Sequence, residues 1–139
     1  MKKNGIHNLH KLLGRWKTTG KIIGTDQNIE GTDSYEMLFG DFILHKADVK
    51  MGNEKSETYE IISYDKEHDR FLMEYYNNKG EKGQMAASIE NDQWIFSNSQ
   101  LRFKGGFSIN DQVFSGLWSQ KDDDGSWQPF IEIQLKRIE

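Results

Sequence analysis

From Gly14 to its end the chain runs in short stretches of alternating apolar and polar side chains, broken by Gly, Asn or Asp. The breaks come roughly every eight to twelve residues, the spacing of an all-β sandwich or barrel. About ten strands can be counted, each joined to the next by a short turn with no long crossover, which predicts an up-and-down antiparallel meander. Ten strands on so short a chain favour closure, because closing a sheet removes the two edges that invite association. The expectation is an all-β barrel of about ten antiparallel strands with a short N-terminal helix, occupying residues 1–139 as a single domain.

The helix is expected over Ile6–Leu13, where Ile6, Leu9, Leu12 and Leu13 recur at helical spacing and Gly14 ends the run. It should plug one end of the barrel. Strands follow at Arg15–Ile23, Gly31–Phe39, Phe42–Met51, Glu57–Tyr64, Arg70–Tyr76 and Gln84–Glu90. A short strand surrounds Trp94 and Phe96, and three more run from Leu101 to Phe107, Val113 to Gln120 and Trp127 to Arg137. Period two puts Trp16, Thr18, Gly20 and Ile22 on the inner face of the first strand. The same reasoning points Asp33, Tyr35, Met37 and Phe39 inward from the second, and Ile43, His45, Ala47, Val49 and Met51 from the third. On the fourth, the inner set is read as Tyr59, Ile61 and Ser63. Gly20 suggests a bend or close backbone approach, and Gly105-Gly106 a bulge or bend.

Composition narrows the function classes. Hydrophobic residues make up 35% of the chain while aromatics reach 12%, a bias that suits a thin-walled strand fold better than a helical bundle. The formal net charge is −4 with Lys and Glu interspersed, so the basic stripe of a nucleic-acid partner is missing. Lys2-Lys3 and Arg102 with Lys104 are local basic spots, explained by solvated faces. Cysteine is absent, which excludes disulfides, thiolate metal sites and cysteine nucleophiles. No apolar run has the length of a membrane helix, and no apolar segment follows the charged start as in a signal peptide. These features lead us to expect a soluble, cytoplasmic protein.

Gly14-x-Trp16 at the head of the first strand, behind a short helix, resembles the signature of the calycin superfamily: lipocalins, fatty-acid-binding proteins and nitrobindin-like haem barrels. That resemblance implies that Trp16 closes one barrel end and that a basic residue of the last strand packs over its ring by cation–π attraction, Arg137 first and Lys136 as the second candidate. The ten-strand count is nearer to the fatty-acid-binding and nitrobindin branch. Ile62-Ser63-Tyr64-Asp65, Asn78-Lys79-Gly80 and Phe114-Ser115-Gly116-Leu117-Trp118 are similar to a bacterial lipocalin-like family described as a domain of unknown function. The chain departs from the nitrobindin pattern, because no histidine follows His68 and the C-terminal haem ligand is missing. Haem by that route is disfavoured, and no cofactor or metal is expected.

His45 stands out because it shares an apolar strand face with Ile43 and Ala47. It reads either as a lumen contact, an acid/base or a ligand, or as a core histidine bonded to a neighbour. Asp33, on the adjacent strand, could orient it for proton transfer. Tyr35, Tyr59 and Tyr75 fall on the inner parity and either line a pocket or fill the barrel with mutual hydrogen bonds. Trp94, Trp118 and Trp127 are pocket walls or packing. Asp122-Asp123-Asp124-Gly125 lacks the remaining ligands of a calcium loop and reads as a turn.

The function expected first is binding of a small apolar molecule inside the barrel without catalysis, with Trp16, Tyr35, His45, Tyr59, Tyr75 and Trp118 as contacts. The alternatives are an isomerase or hydratase using His45 as acid/base, and a filled barrel acting through its outer surface, for example as a homodimer.

Overall fold

A computed structural model describes residues 4–138; Lys2-Lys3 lies outside them. The described residues form ten strands: β1 (Gly14–Ile22), β2 (Asn28–Leu38), β3 (Phe42–Met51), β4 (Glu54–Asp65), β5 (Arg70–Asn77), β6 (Lys82–Glu90), β7 (Gln93–Ser97), β8 (Leu101–Phe107), β9 (Val113–Lys121) and β10 (Trp127–Arg137). Every strand pairs antiparallel with its sequence neighbours, and β1 pairs with β10 to close the barrel. The turn chemistry explains the meander. Asn91 and Asp92 both adopt positive φ, 51° and 66°, the geometry of a two-residue turn whose twist matches its strands. Gly52 and Gly80 sit at φ 65° and 78° in two further hairpins.

Alternation sends one set of side chains inward from each strand. On β1, Trp16 and Thr18 are sealed while Arg15, Lys17 and Thr19 face out. On β3, Ile43 is fully buried, with His45 and Ala47 following it inward. The sheet stays tightly coiled where glycines meet: a Cβ on Gly105 would fall 2.2 Å from the Ser115 carbonyl and 2.6 Å from the Phe103 ring. Gly105 and Gly116 are paired neighbours, so the close approach needs hydrogen on both sides. The bulge or bend expected at Gly105-Gly106 brings no register shift; β8 pairs with β9 without a break. The register does shift in β10, between Pro129 and Ile131, where proline cannot donate to the ladder.

Two segments depart from the sequence expectation. The second strand ends at Leu38, so Met37 and Phe39 do not line the interior; Phe39 is 93% exposed at φ 65° in the turn. On β4 the parity is reversed. Tyr59 and Ile61 lie on the outer surface, 56% and 37% exposed, whereas Glu60 and Ile62 are buried. Both parities of β4 carry bulky residues, and the charge on Glu60 made the odd set look like the inner one.

The N-terminal segment is a 3₁₀ helix, Ile6–Leu12, that buries Leu9 and Leu12 in one barrel end. The Trp16 indole N–H donates to the Leu12 carbonyl at 2.8 Å. Arg137, paired across the closing seam with Trp16, lies 4.1 Å over its ring. The same guanidinium donates to the Leu13 and Lys11 carbonyls, each at 2.7 Å, capping carbonyls at the helix end. Trp16, Arg137 and the helix therefore shut this end.

Candidate functional site

With one end shut, the interior space lies in the other half of the barrel. A cavity of about 270 Å³ runs from the middle of the lumen towards the rim where Val49, Thr58, Tyr75, Leu101 and Trp118 are only half-buried. Its walls differ in chemistry. Strands β5 to β10 contribute an apolar surface that includes Met73, Met85, Phe96, Phe103, Phe114 and Trp118. The three phenylalanines stack on one another at centroid distances of 5.0 to 6.3 Å, and Trp118 leans on Phe103 at 5.4 Å. Strands β2 to β4 contribute Asp33, Tyr35, His45 and Glu60.

Register assembles this polar wall. His45 is the direct cross-strand partner of both Tyr35 and Glu60, and Asp33 sits diagonally from it, opposite Ala47. Direct and diagonal neighbours on one face of a sheet are within side-chain reach. His45 Nε2 lies 2.6 Å from Asp33 Oδ2, and Nδ1 lies 2.9 Å from Glu60 Oε1. The Tyr35 ring stacks flat on the imidazole, 4.0 Å away and 5° from parallel. The Thr18 hydroxyl donates to the other oxygen of Asp33.

The protonation state follows from the geometry. A neutral imidazole has one N–H, yet both ring nitrogens here face carboxylate oxygens. Both contacts are hydrogen bonds only if the row holds one extra proton, giving an imidazolium between two carboxylates. Burial alone pulls the His45 pKa down, but the hydrogen bonds and charges of Asp33 and Glu60 outweigh it and raise the pKa to about 9. Burial, then the same two carboxylates, push the Tyr35 phenol well above its ordinary value, so it stays neutral. An imidazolium with both nitrogens committed has no lone pair for iron or another metal and no free nitrogen to act as a base. Among the described residues no group of three His, Asp or Glu is disposed to hold a metal ion.

Of the residues singled out from sequence, Tyr35, His45, Tyr75 and Trp118 meet at the cavity. Trp16 does not reach it; it is fully buried under the helix. Tyr59 is on the outer surface, with Lys46 5.6 Å from its ring. Trp94 packs edge-on against Phe107 and Phe114, and Trp127 lies beneath Arg102. Glu60 was missed. The hairpin at Gly52-Asn53 could have revealed it: Met51 pairs with Glu54, and counting back along β3 and forward along β4 sets Glu60 opposite His45.

The fold and its lumen define a closed ten-stranded β-barrel with an ionic row built into one interior wall. The chain belongs to DUF1579, a family described as protein of unknown function, which matches residues 3–137. No curated protein matches it. Among solved structures it is similar to Rv2717c from M. tuberculosis, with 10% identity, a TM-score of 0.69 and coverage of 96% of this chain and 97% of that one. It is also similar to the redesigned β-barrel mFAP0 bound to DFHBI, at 12% identity, TM-score 0.51 and coverage of 91% and 99%. A second redesigned barrel, mFAP1 bound to DFHBI, gives 12% identity, TM-score 0.51 and coverage of 92% and 96%. At these identities the likeness is one of fold. None of the described helices is long and apolar enough to cross a membrane.

Proposed function

We propose that this protein binds a small, mostly apolar molecule in the open half of its barrel, without catalysing a reaction on it. The carrying observation is the cavity of about 270 Å³, with an aromatic and thioether wall facing Asp33, Tyr35, His45 and Glu60. A few placed polar groups among apolar walls are the usual make-up of a small-molecule site. The volume is small for such a site, for which roughly 300–1,000 Å³ is usual. It suits a compact ring system better than an extended acyl chain. The proposed contacts are Tyr35, His45, Tyr75 and Trp118, joined by Glu60.

Two redesigned barrels of similar fold are bound to DFHBI, which supports the reading that a barrel of this kind can accommodate a small ligand. The calycin resemblance is proposed on the same footing, supported by Gly14-x-Trp16 and by Arg137 over the indole. The acid/base reading is weaker than binding because both His45 nitrogens are occupied by carboxylates.

Native mass spectrometry of the protein after exposure to a lipid and small-aromatic library tests the proposal. Retention of a small molecule by the wild type, lost when Ala47→Leu narrows the cavity, is the expected result. Failure of the wild type to retain any member of the library overturns it.

A further inference from the structure

The hydrogen-bond inventory of the polar wall restricts what such a ligand can carry, and this inference rests on the lumen-binding reading above. Both His45 N–H groups are spent on Asp33 and Glu60, and the Thr18 hydroxyl is spent on Asp33. The Asp33–His45–Glu60 row therefore offers no donor to the lumen. Two carboxylates and one imidazolium leave a net charge of −1, and moving the shared proton onto either carboxylate does not change that sum. Among the described residues no Lys or Arg lines the cavity.

What the row offers is acceptors, and the unbonded hydroxyls beside it accept as well as donate. Glu60, 7% exposed, makes one side-chain hydrogen bond among the described residues, through Oε1. An ionised carboxylate has about four acceptor positions on two oxygens, so Glu60 has capacity to spare. Tyr35, 6% exposed, and Tyr75 have no hydroxyl partner among the described residues. No polar side-chain atom among those residues is sealed from solvent without a partner, so these unbonded groups keep accessible surface, and all three residues line the cavity. Tyr75 lies across Gly83, where a Cβ would come 2.4 Å from its hydroxyl, so the glycine leaves the room that phenol occupies.

We infer that the lumen selects a protonated amine or amidinium on a compact apolar frame, its N–H groups donating to Glu60 and the tyrosine oxygens while the frame packs on Met73, Met85, Phe103 and Trp118. An anionic head, such as a fatty acid's carboxylate, meets net negative charge with only neutral donors to face it: the tyrosine and Thr58 hydroxyls and the Trp118 indole N–H. Charge-assisted hydrogen bonds are roughly twice as strong as neutral ones, so the preference is readable as affinity.

The test uses three probes with one frame: 1-naphthylmethylamine, 1-naphthylmethanol and 1-naphthoate, each titrated calorimetrically near neutral pH. The amine is expected to bind about tenfold tighter than the alcohol, the value of one additional charge-assisted hydrogen bond, with the acid weakest. Glu60→Gln should erase the amine's advantage and leave the alcohol's affinity within about twofold. Acid or alcohol binding as tightly as the amine in the wild type overturns the inference and leaves lumen binding standing. Absence of binding by all three overturns both. The wild-type comparison decides the matter even where the variant folds poorly.

Discussion

Raising the pH from about 6 to about 10 should remove the proton that lets His45 satisfy two carboxylates at once, and the loss should register as stability. The imidazole is raised from its ordinary 6.5 to about 9 in the fold. Below pH 6.5 folded and unfolded chains both hold the proton, so the stabilisation is fully present. Above 6.5 the unfolded chain gives it up first, and the contribution drains away as pH climbs through 9. The gap between 6.5 and about 9 corresponds to about 3 kcal/mol. That is a large fraction of the 5–15 kcal/mol roughly typical of a domain, and amounts to about 10 °C in Tm for a chain of this size. His45 is only 14% exposed, so solvent screens the effect little. Urea unfolding followed by tryptophan fluorescence at successive pH values reads the wild type. The same series on His45→Gln subtracts the titrating groups outside the Asp33–His45–Glu60 row. The difference between the two should shrink by about 3 kcal/mol between pH 6.5 and 9.5. A constant difference, or an NMR titration of the wild-type His45 near 6.5, would refute the doubly bonded imidazolium.

Three further outcomes follow from the packing. Asp33→Ala should cost about 3–5 kcal/mol by stranding His45 and Thr18, whereas Tyr59→Ser on the outer surface should stay within about 1 kcal/mol; equal costs in urea would contradict the β4 register. Arg137→Met should cost about 2–4 kcal/mol by removing the guanidinium from the Trp16 face and from two helix-end carbonyls, measured as a lower thermal midpoint; an unchanged midpoint would deny its closing role. Gly105→Ala should be destabilising by more than about 2 kcal/mol, because the added methyl meets backbone at Ser115; a neutral result would show that the β8–β9 seam is looser than described.

Much of this barrel could be read from residue order, because a half-buried strand states its own inward face. His45 among Ile43, Ala47 and Val49 could only face the lumen, and Trp16 with Arg137 at matching ends of the seam strands belonged together. The limit came where alternation was ambiguous. On β4 the odd residues Tyr59 and Ile61 are apolar, while the even ones mix Thr58 and Glu60 with Ile62 and Tyr64. Hydrophobicity alone selects the odd set. Burial of Glu60 is set by its partner on β3, a relation between strands that no single window contains. Phe39 misled for a local reason, as the chain turns there in a left-handed conformation that phenylalanine rarely adopts. The cavity depends on how side chains from nine strands share one volume, which no pattern within a strand records.

The most direct measurement is the response of the methionine methyl resonances to a naphthyl probe. Met73 and Met85 line the hollow, whereas Met37 lies beyond it near the helix-capped end. Saturable shifts of the Met73 and Met85 methyls, with Met37 unmoved, are the predicted result. Methyls that stay still throughout the titration, or that all move together without saturating, would contradict a lumen built to hold a guest.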